Sequence, residues 1–113
     1  MLVVDDDASI RLLCRVNLEL DGWDVREAKS IEEARAQLAD GAVEIVLLDV
    51  HVGSGSGIEL LEEIREDRPS VRVAMLTGSI GTQTLDNGVS PDAVISKPFT
   101  LEKLRGTIAD LAR

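Results

Sequence analysis

The chain is poor in residues that staple, span or stack. It has one cysteine, Cys14, in 113 residues, so no internal disulfide can form. The apolar flanks of Cys14 read as a small core position in a reducing compartment. No apolar run approaches the roughly 20 residues that a membrane-spanning helix needs. Met1-Leu2-Val3-Val4 runs straight into Asp5-Asp6-Asp7, which does not fit a secretory signal. A cytoplasmic protein with no membrane contact is expected. Tyrosine is absent, and Trp23 and Phe99 are single examples of their kind. Trp23 reads as a packing residue near a loop. Basic residues number 12 against 21 acidic ones, for a formal charge of −9. That balance argues against a direct nucleic-acid partner, which would need positive charge for the phosphates. It suits a site that holds a cation, although most of these acids only keep the surface soluble. Repeats, low-complexity tracts and linkers are missing, and the length suits one domain over residues 1–113.

What is present centres on Ile45-Val46-Leu47-Leu48, which stops at Asp49 and opens into Gly53-Ser54-Gly55-Ser56-Gly57. A short aliphatic run bounded by loop signals reads as a buried central strand. A carboxylate at the carboxyl end of such a strand stands where open α/β sheets place their chemistry. Asp49 is therefore the candidate reactive group.

The rest of the chain alternates. Leu2 to Val4 reads as a strand. Asp7 caps a helix carrying Ile10, Leu13, Cys14 and Leu18, stopped by Asp21-Gly22. Trp23 to Ala28 reads as a strand, and Ser30 with Glu33 as a capping box for a helix to about Ala39. Ile58, Leu61 and Ile64 share a helical face, closed by Arg68-Pro69. Val71 to Leu76 reads as a strand ending at Thr77, and Ala93 to Ser96 as one ending at Lys97-Pro98. Thr100 caps a last helix with Leu101, Leu104, Ile108 and Leu111. Such alternation predicts a parallel sheet with helices on both faces. Alternation also demands a fourth helix between Gly78 and Asp92. Gly81, Gly88, Pro91 and three β-branched residues oppose it, so a short or irregular helix is expected over 82–87.

Four strands thus end in reactive or polar groups: Asp5-Asp6, Asp49, Thr77 and Lys97. In a parallel sheet these ends share one edge. Crowded carboxylates repel, and a divalent cation relieves the repulsion. Oxygen-only ligands at a partly hydrated site suit Mg²⁺. Lys97 adds a second positive charge, and Thr77 a hydroxyl. Together they describe a pocket for a phosphoryl group on a carboxylate nucleophile. Asp7 reads as a helix cap alone. For Thr77 a capping hydroxyl remains the competing reading.

In order and interval, Asp5-Asp6, Asp49, Thr77 and Lys97-Pro98 resemble the receiver domain of two-component response regulators. The resemblance covers essentially the whole chain. It implies a flavodoxin-like, doubly wound five-stranded sheet of order 2-1-3-4-5. It implies that Asp49 accepts a phosphoryl group from a histidine kinase or a histidine phosphotransfer protein. Asp6 would then bind Mg²⁺ directly, Asp5 mainly through water, and His51 through its main-chain carbonyl. Lys97 would pair with phosphoryl oxygens, Thr77 would move to hydrogen-bond one of them, and the Lys97-Pro98 bond would be cis. The side chains of His51 and Ser79 would tune the lifetime of the phosphoryl group. Output would pass to a downstream protein target or to an effector domain beyond this chain, and the domain would not be an enzyme in the usual sense.

Three departures from the family pattern stand out. Gly53 replaces a usual proline in the loop after the acceptor, which raises the entropic cost of ordering it and suggests a mobile loop. Val94 occupies the place of an aromatic switch residue. The fourth helix looks shortened. Three competing readings are kept. A receiver-like module that works without phosphorylation draws mild support from Val94 and the glycine loop. A haloacid-dehalogenase-like phosphatase would need a second aspartate where His51 stands, and its metal acids would come last. A flavin domain of the same fold would need a phosphate loop where Asp5-Asp6-Asp7 would repel the phosphate.

Overall fold

A computed structural model of the chain describes residues 1–78 and 90–113. The expected fourth helix, 82–87, and Ser79 lie outside the described residues. The elements run β1 (Leu2–Val4), α1 (Ala8–Leu20), β2 (Arg26–Ala28), α2 (Ile31–Ala39) and β3 (Ile45–Asp49). Next come β4 (His51–Val52), β5 (Gly55–Ser56), α3 (Gly57–Asp67), β6 (Arg72–Thr77), β7 (Ala93–Ser96) and α4 (Leu101–Leu111). The five-stranded sheet is parallel throughout, in the order β2-β1-β3-β6-β7. Counting only its own strands, that is 2-1-3-4-5, the expected flavodoxin-like order.

The strands alternate between two cores, as a period of two requires in a sheet covered on both faces. Leu2, Val4, Val46 and Leu48 join Ala34, Leu38, Leu60, Leu61 and Ile64 under α2 and α3. Met1, Val3, Ile45 and Leu47 join Cys14, Leu18, Leu104 and Ile108 under α1 and α4. The helix starts follow the expected chemistry. Side-chain oxygens of Asp7, Ser30, Ser56 and Thr100 each accept a main-chain N–H of the first turn. The Lys29 N–H, just ahead of the Ser30 cap, donates in return to the Glu33 carboxylate.

Three local expectations change. The second strand is only Arg26–Ala28, because Trp23 and Val25 pack into the core without joining the ladder. Leu13 and Leu101 are exposed rather than buried, since α1 turns only Cys14 and Leu18, and α4 only Leu104 and Ile108, fully inward. The loop after Asp49 contains a two-residue antiparallel ribbon, His51–Val52 against Gly55–Ser56. Gly53 takes φ +60 at its turn, a conformation open to glycine at little cost.

Candidate functional site

The carboxyl ends of β1, β3, β6 and β7 bring the expected residues to one edge. Asp5 follows β1, and its N–H donates to the Ala28 carbonyl on β2 at 3.1 Å. Asp49 is the last residue of β3 and pairs in register with Leu76, one residue before Thr77. Lys97 follows β7, and its N–H donates to the Thr77 carbonyl at 2.7 Å. The Lys97-Pro98 peptide is cis.

Side chains converge as the backbone does. The Lys97 ammonium lies 3.2 Å from Asp5 Oδ2 and 3.3 Å from Asp49 Oδ2. Carboxylate oxygens of Asp5, Asp6 and Asp49 all fall within 4.8 Å of one another. Asp5 is fully buried and Asp6 exposed. Burial pushes the Asp5 carboxyl above the usual aspartate range, and the Asp49 charge adds to the push. The N–H of Asp7, 2.9 Å from Asp5 Oδ1, and Lys97 oppose it without cancelling it. For Lys97 the balance runs the other way. Burial works against its charge, but Asp5 and Asp49 outweigh burial and hold its pKa above the ordinary lysine value. Cys14 packs behind this corner, and burial lifts its thiol to about 11, so it stays protonated and inert.

The ribbon closes the acceptor strand tightly. The Val50 N–H donates to the Leu76 carbonyl at 3.1 Å, and the Gly57 N–H to the Val50 carbonyl at 2.7 Å. A Cβ on Gly57 would sit 2.1 Å from the Asp49 carbonyl oxygen, so this glycine is required by close approach. His51 is exposed at the start of β4, beside the acceptor. Thr77 is buried at the end of β6. Val94 is exposed in β7.

One cation lies against two carboxylates, beside a third, and crowded carboxylates of this kind can be relieved by a metal ion. The model for the response regulator receiver domain matches residues 1–109. The chain belongs to that family. It is 35% identical to the response regulator protein PilR of Pseudomonas aeruginosa over 99% of this chain and 26% of PilR. It is 34% identical to the phosphate regulon regulator PhoB of the same organism, over 92% of this chain and 47% of PhoB. This receiver therefore spans less than half the length of either relative. Among solved structures it superposes on the NtrX receiver domain of Brucella abortus with a TM-score of 0.88 and 30% identity, covering 97% and 95% of the two chains. A CheY-like receiver from Methanospirillum hungatei gives 0.87 at 30% identity, covering 98% and 91%.

The receiver is thus a response-regulator module of two-component signalling, a family whose members bind Mg²⁺ at an acidic pocket. Among the described residues, Asp5, Asp6 and Asp49 form an acidic cluster that could hold such an ion. Among the described residues no helix is long and apolar enough to cross a membrane. Two residues at this corner escaped the sequence reading. Arg11 donates to the Asp5 carbonyl at 2.6 Å and to Glu27 Oε1 at 3.2 Å. Their signal was an arginine one turn after the acid pair and an acid late in the second strand. Both pass for ordinary surface charges.

Proposed function

We propose that this receiver takes a phosphoryl group on Asp49 from a phosphohistidine of a histidine kinase or phosphotransfer protein. The observation that carries the reading is the Lys97 ammonium set between Asp5 and Asp49 while three carboxylates crowd together. Asp5, Asp6, Asp49 and the His51 carbonyl would hold Mg²⁺, which supplies positive charge against the crowded carboxylates and the incoming phosphoryl oxygens. An Asp49 carboxylate oxygen attacks phosphorus in line. An O–P bond forms, the P–N bond of the phosphoimidazole breaks, and the imidazole leaves with the bonding pair and takes up a proton. Lys97 neutralises phosphoryl oxygens, and Thr77 donates to one of them. His51, and Ser79 outside the described residues, tune hydrolysis of the acyl phosphate. The domain covers the whole chain, acts in the cytoplasm and is a relay rather than an enzyme. Its output is contact with a downstream protein or an attached effector domain.

An exposed apolar ridge on α1, made by Leu12, Leu13, Val16 and Leu20, begins one turn into the helix that follows Asp6. Apolar surface there suits a macromolecular phosphodonor, which would bury it. Intact mass after incubation with acetyl phosphate tests the chemistry. One Mg²⁺-dependent phosphoryl adduct is expected on the parent and none on Asp49→Asn. A folded parent that binds Mg²⁺ and takes no adduct would favour a module that works without phosphorylation.

A further inference from the structure

Arg11 has no part in that chemistry, yet its side chain is committed to the same corner. It is 15% exposed, low for an arginine in the first turn of a surface helix. One arm of its guanidinium donates to the main-chain carbonyl of Asp5 at 2.6 Å, and Nε donates to Glu27 Oε1 at 3.2 Å. Glu27 sits in β2, in register with Val3, and also accepts from Arg15. The other polar groups of Asp5 are engaged too. Its N–H donates to Ala28, Oδ1 accepts from the Asp7 N–H, and Oδ2 faces Lys97. With Arg11 on the carbonyl, the peptide that leads from Asp5 to Asp6 is fixed in orientation.

We propose that Arg11, braced by Glu27, is a positioning residue for the cation site: it sets the Asp5–Asp6 peptide so that both carboxylates meet Asp49. The inference rests on the reading of Asp5, Asp6 and Asp49 as the Mg²⁺ site. Two effects of Arg11 have opposite signs. Its charge, by Coulomb's law, repels a cation. Its hydrogen bond holds two ligands in place. Glu27 lies against the guanidinium and balances its charge locally. Groups that orient metal ligands change affinity by roughly 10–100-fold when removed. Positioning therefore outweighs repulsion.

The sign of the effect is the test. Mg²⁺ is titrated calorimetrically into the full chain and into Arg11→Met, Arg11→Lys and Glu27→Gln. The rate of adduct formation from acetyl phosphate is followed against Mg²⁺ concentration. Arg11→Met is expected to weaken Mg²⁺ binding about tenfold. Its phosphorylation rate recovers at saturating Mg²⁺. Arg11→Lys, which keeps the charge but not the fork, falls between it and the parent. Glu27→Gln weakens binding several-fold, because it both loosens the guanidinium and exposes its charge to the site. Melting in chelator reports folding separately, and a purely structural role would lower that midpoint without moving the Mg²⁺ dependence. Unchanged or tighter Mg²⁺ binding in folded Arg11→Met overturns the proposal. If that variant does not fold, unchanged binding in Glu27→Gln does so. A parent that binds no Mg²⁺ would remove the cation site and this inference with it, whereas a parent that binds Mg²⁺ beside indifferent variants removes only the role of Arg11.

Discussion

Helices α1 and α3 cover opposite faces of one sheet and use their apolar residues differently. Helix α3 buries Gly57, Leu60, Leu61 and Ile64 and shows no large apolar side chain to solvent. Helix α1 is longer, yet it fully buries only Cys14 and Leu18 and leaves Leu12, Leu13, Val16 and Leu20 exposed. Their arginines differ as well. Arg65 of α3 reaches the Val71 and Ser90 carbonyls and Asp92, all at the entry to β6 and β7. Arg11 of α1 reaches the exit of β1, beside the acidic pocket. One face of the molecule is given to stability. The other leaves an apolar ridge exposed and sends its arginine to the strand end that carries the acidic cluster.

The largest effect is expected where the stable face meets the site. Gly57→Ala would put a methyl group 2.1 Å from the Asp49 carbonyl oxygen, and a backbone atom cannot step aside as a flexible side chain can. A loss of about 4 kcal/mol or more is expected in urea unfolding, with phosphoryl uptake impaired in whatever folds. Next comes a matched pair. Leu60 is 1% exposed, and Leu60→Ala should cost about 3 kcal/mol through lost contacts and a cavity. Leu20 is 76% exposed, and Leu20→Ala should stay within about 0.5 kcal/mol. Equal costs would erase the contrast between the two helices.

A third experiment asks what the exposed ridge is for. Leu12→Glu with Val16→Glu should slow phosphotransfer from a phosphorylated histidine-kinase domain about tenfold, equivalent to roughly 1.4 kcal/mol of lost docking energy. Adduct formation from acetyl phosphate should be unchanged, because a small donor needs no helix face. Glu66→Lys, on the outer side of α3, should alter neither rate. Equal slowing with both donors would place the damage in the fold and leave the ridge without a role.

The strand ends were legible because two signals coincide at each of them. An aliphatic run stops, and a polar group follows at Asp5, Asp49, Thr77 and Lys97. Helix caps were legible because Asp7, Ser30 and Thr100 act on their own first turns, a purely local interaction. Leu13 was misplaced by the same locality. Helical spacing says which residues share a face, but not how wide a stripe the sheet will cover. The ribbon after Asp49 gave no warning, because Gly53 to Gly57 carries no apolar alternation to mark a strand. The Arg11–Glu27 contact joins residues 16 positions apart across two elements, and the charge pattern of either segment alone does not suggest it.

A smaller effect than these losses belongs to Arg65 and Asp92, and pH isolates it. Asp92 Oδ2 accepts from the Val73 N–H at 2.8 Å and from Arg65 at 2.7 Å. Burial pushes its carboxyl upward, but these two bonds, with the charges of Arg65 and Arg72, prevail and hold it below the usual aspartate range. A carboxyl whose folded pKa is depressed stabilises the fold above its unfolded value and loses that contribution as pH falls through the folded one. The parent should therefore melt above Asp92→Asn by a constant margin at neutral pH. The margin should begin to shrink below the ordinary aspartate value of about 3.9 and close further through the lower folded value. The pair is partly exposed, so solvent screening limits it to about 1 kcal/mol at most. Asp21, Asp40 and Glu63, also held low by arginine partners or a main-chain N–H, titrate alike in both proteins and cancel from the difference. Arg11→Met should leave that pH-dependent margin intact, because its carbonyl contact lies across the sheet from Asp92. A margin that changed with Arg11 would mean the two faces are coupled, and the division between a stabilising face and a working face would fail.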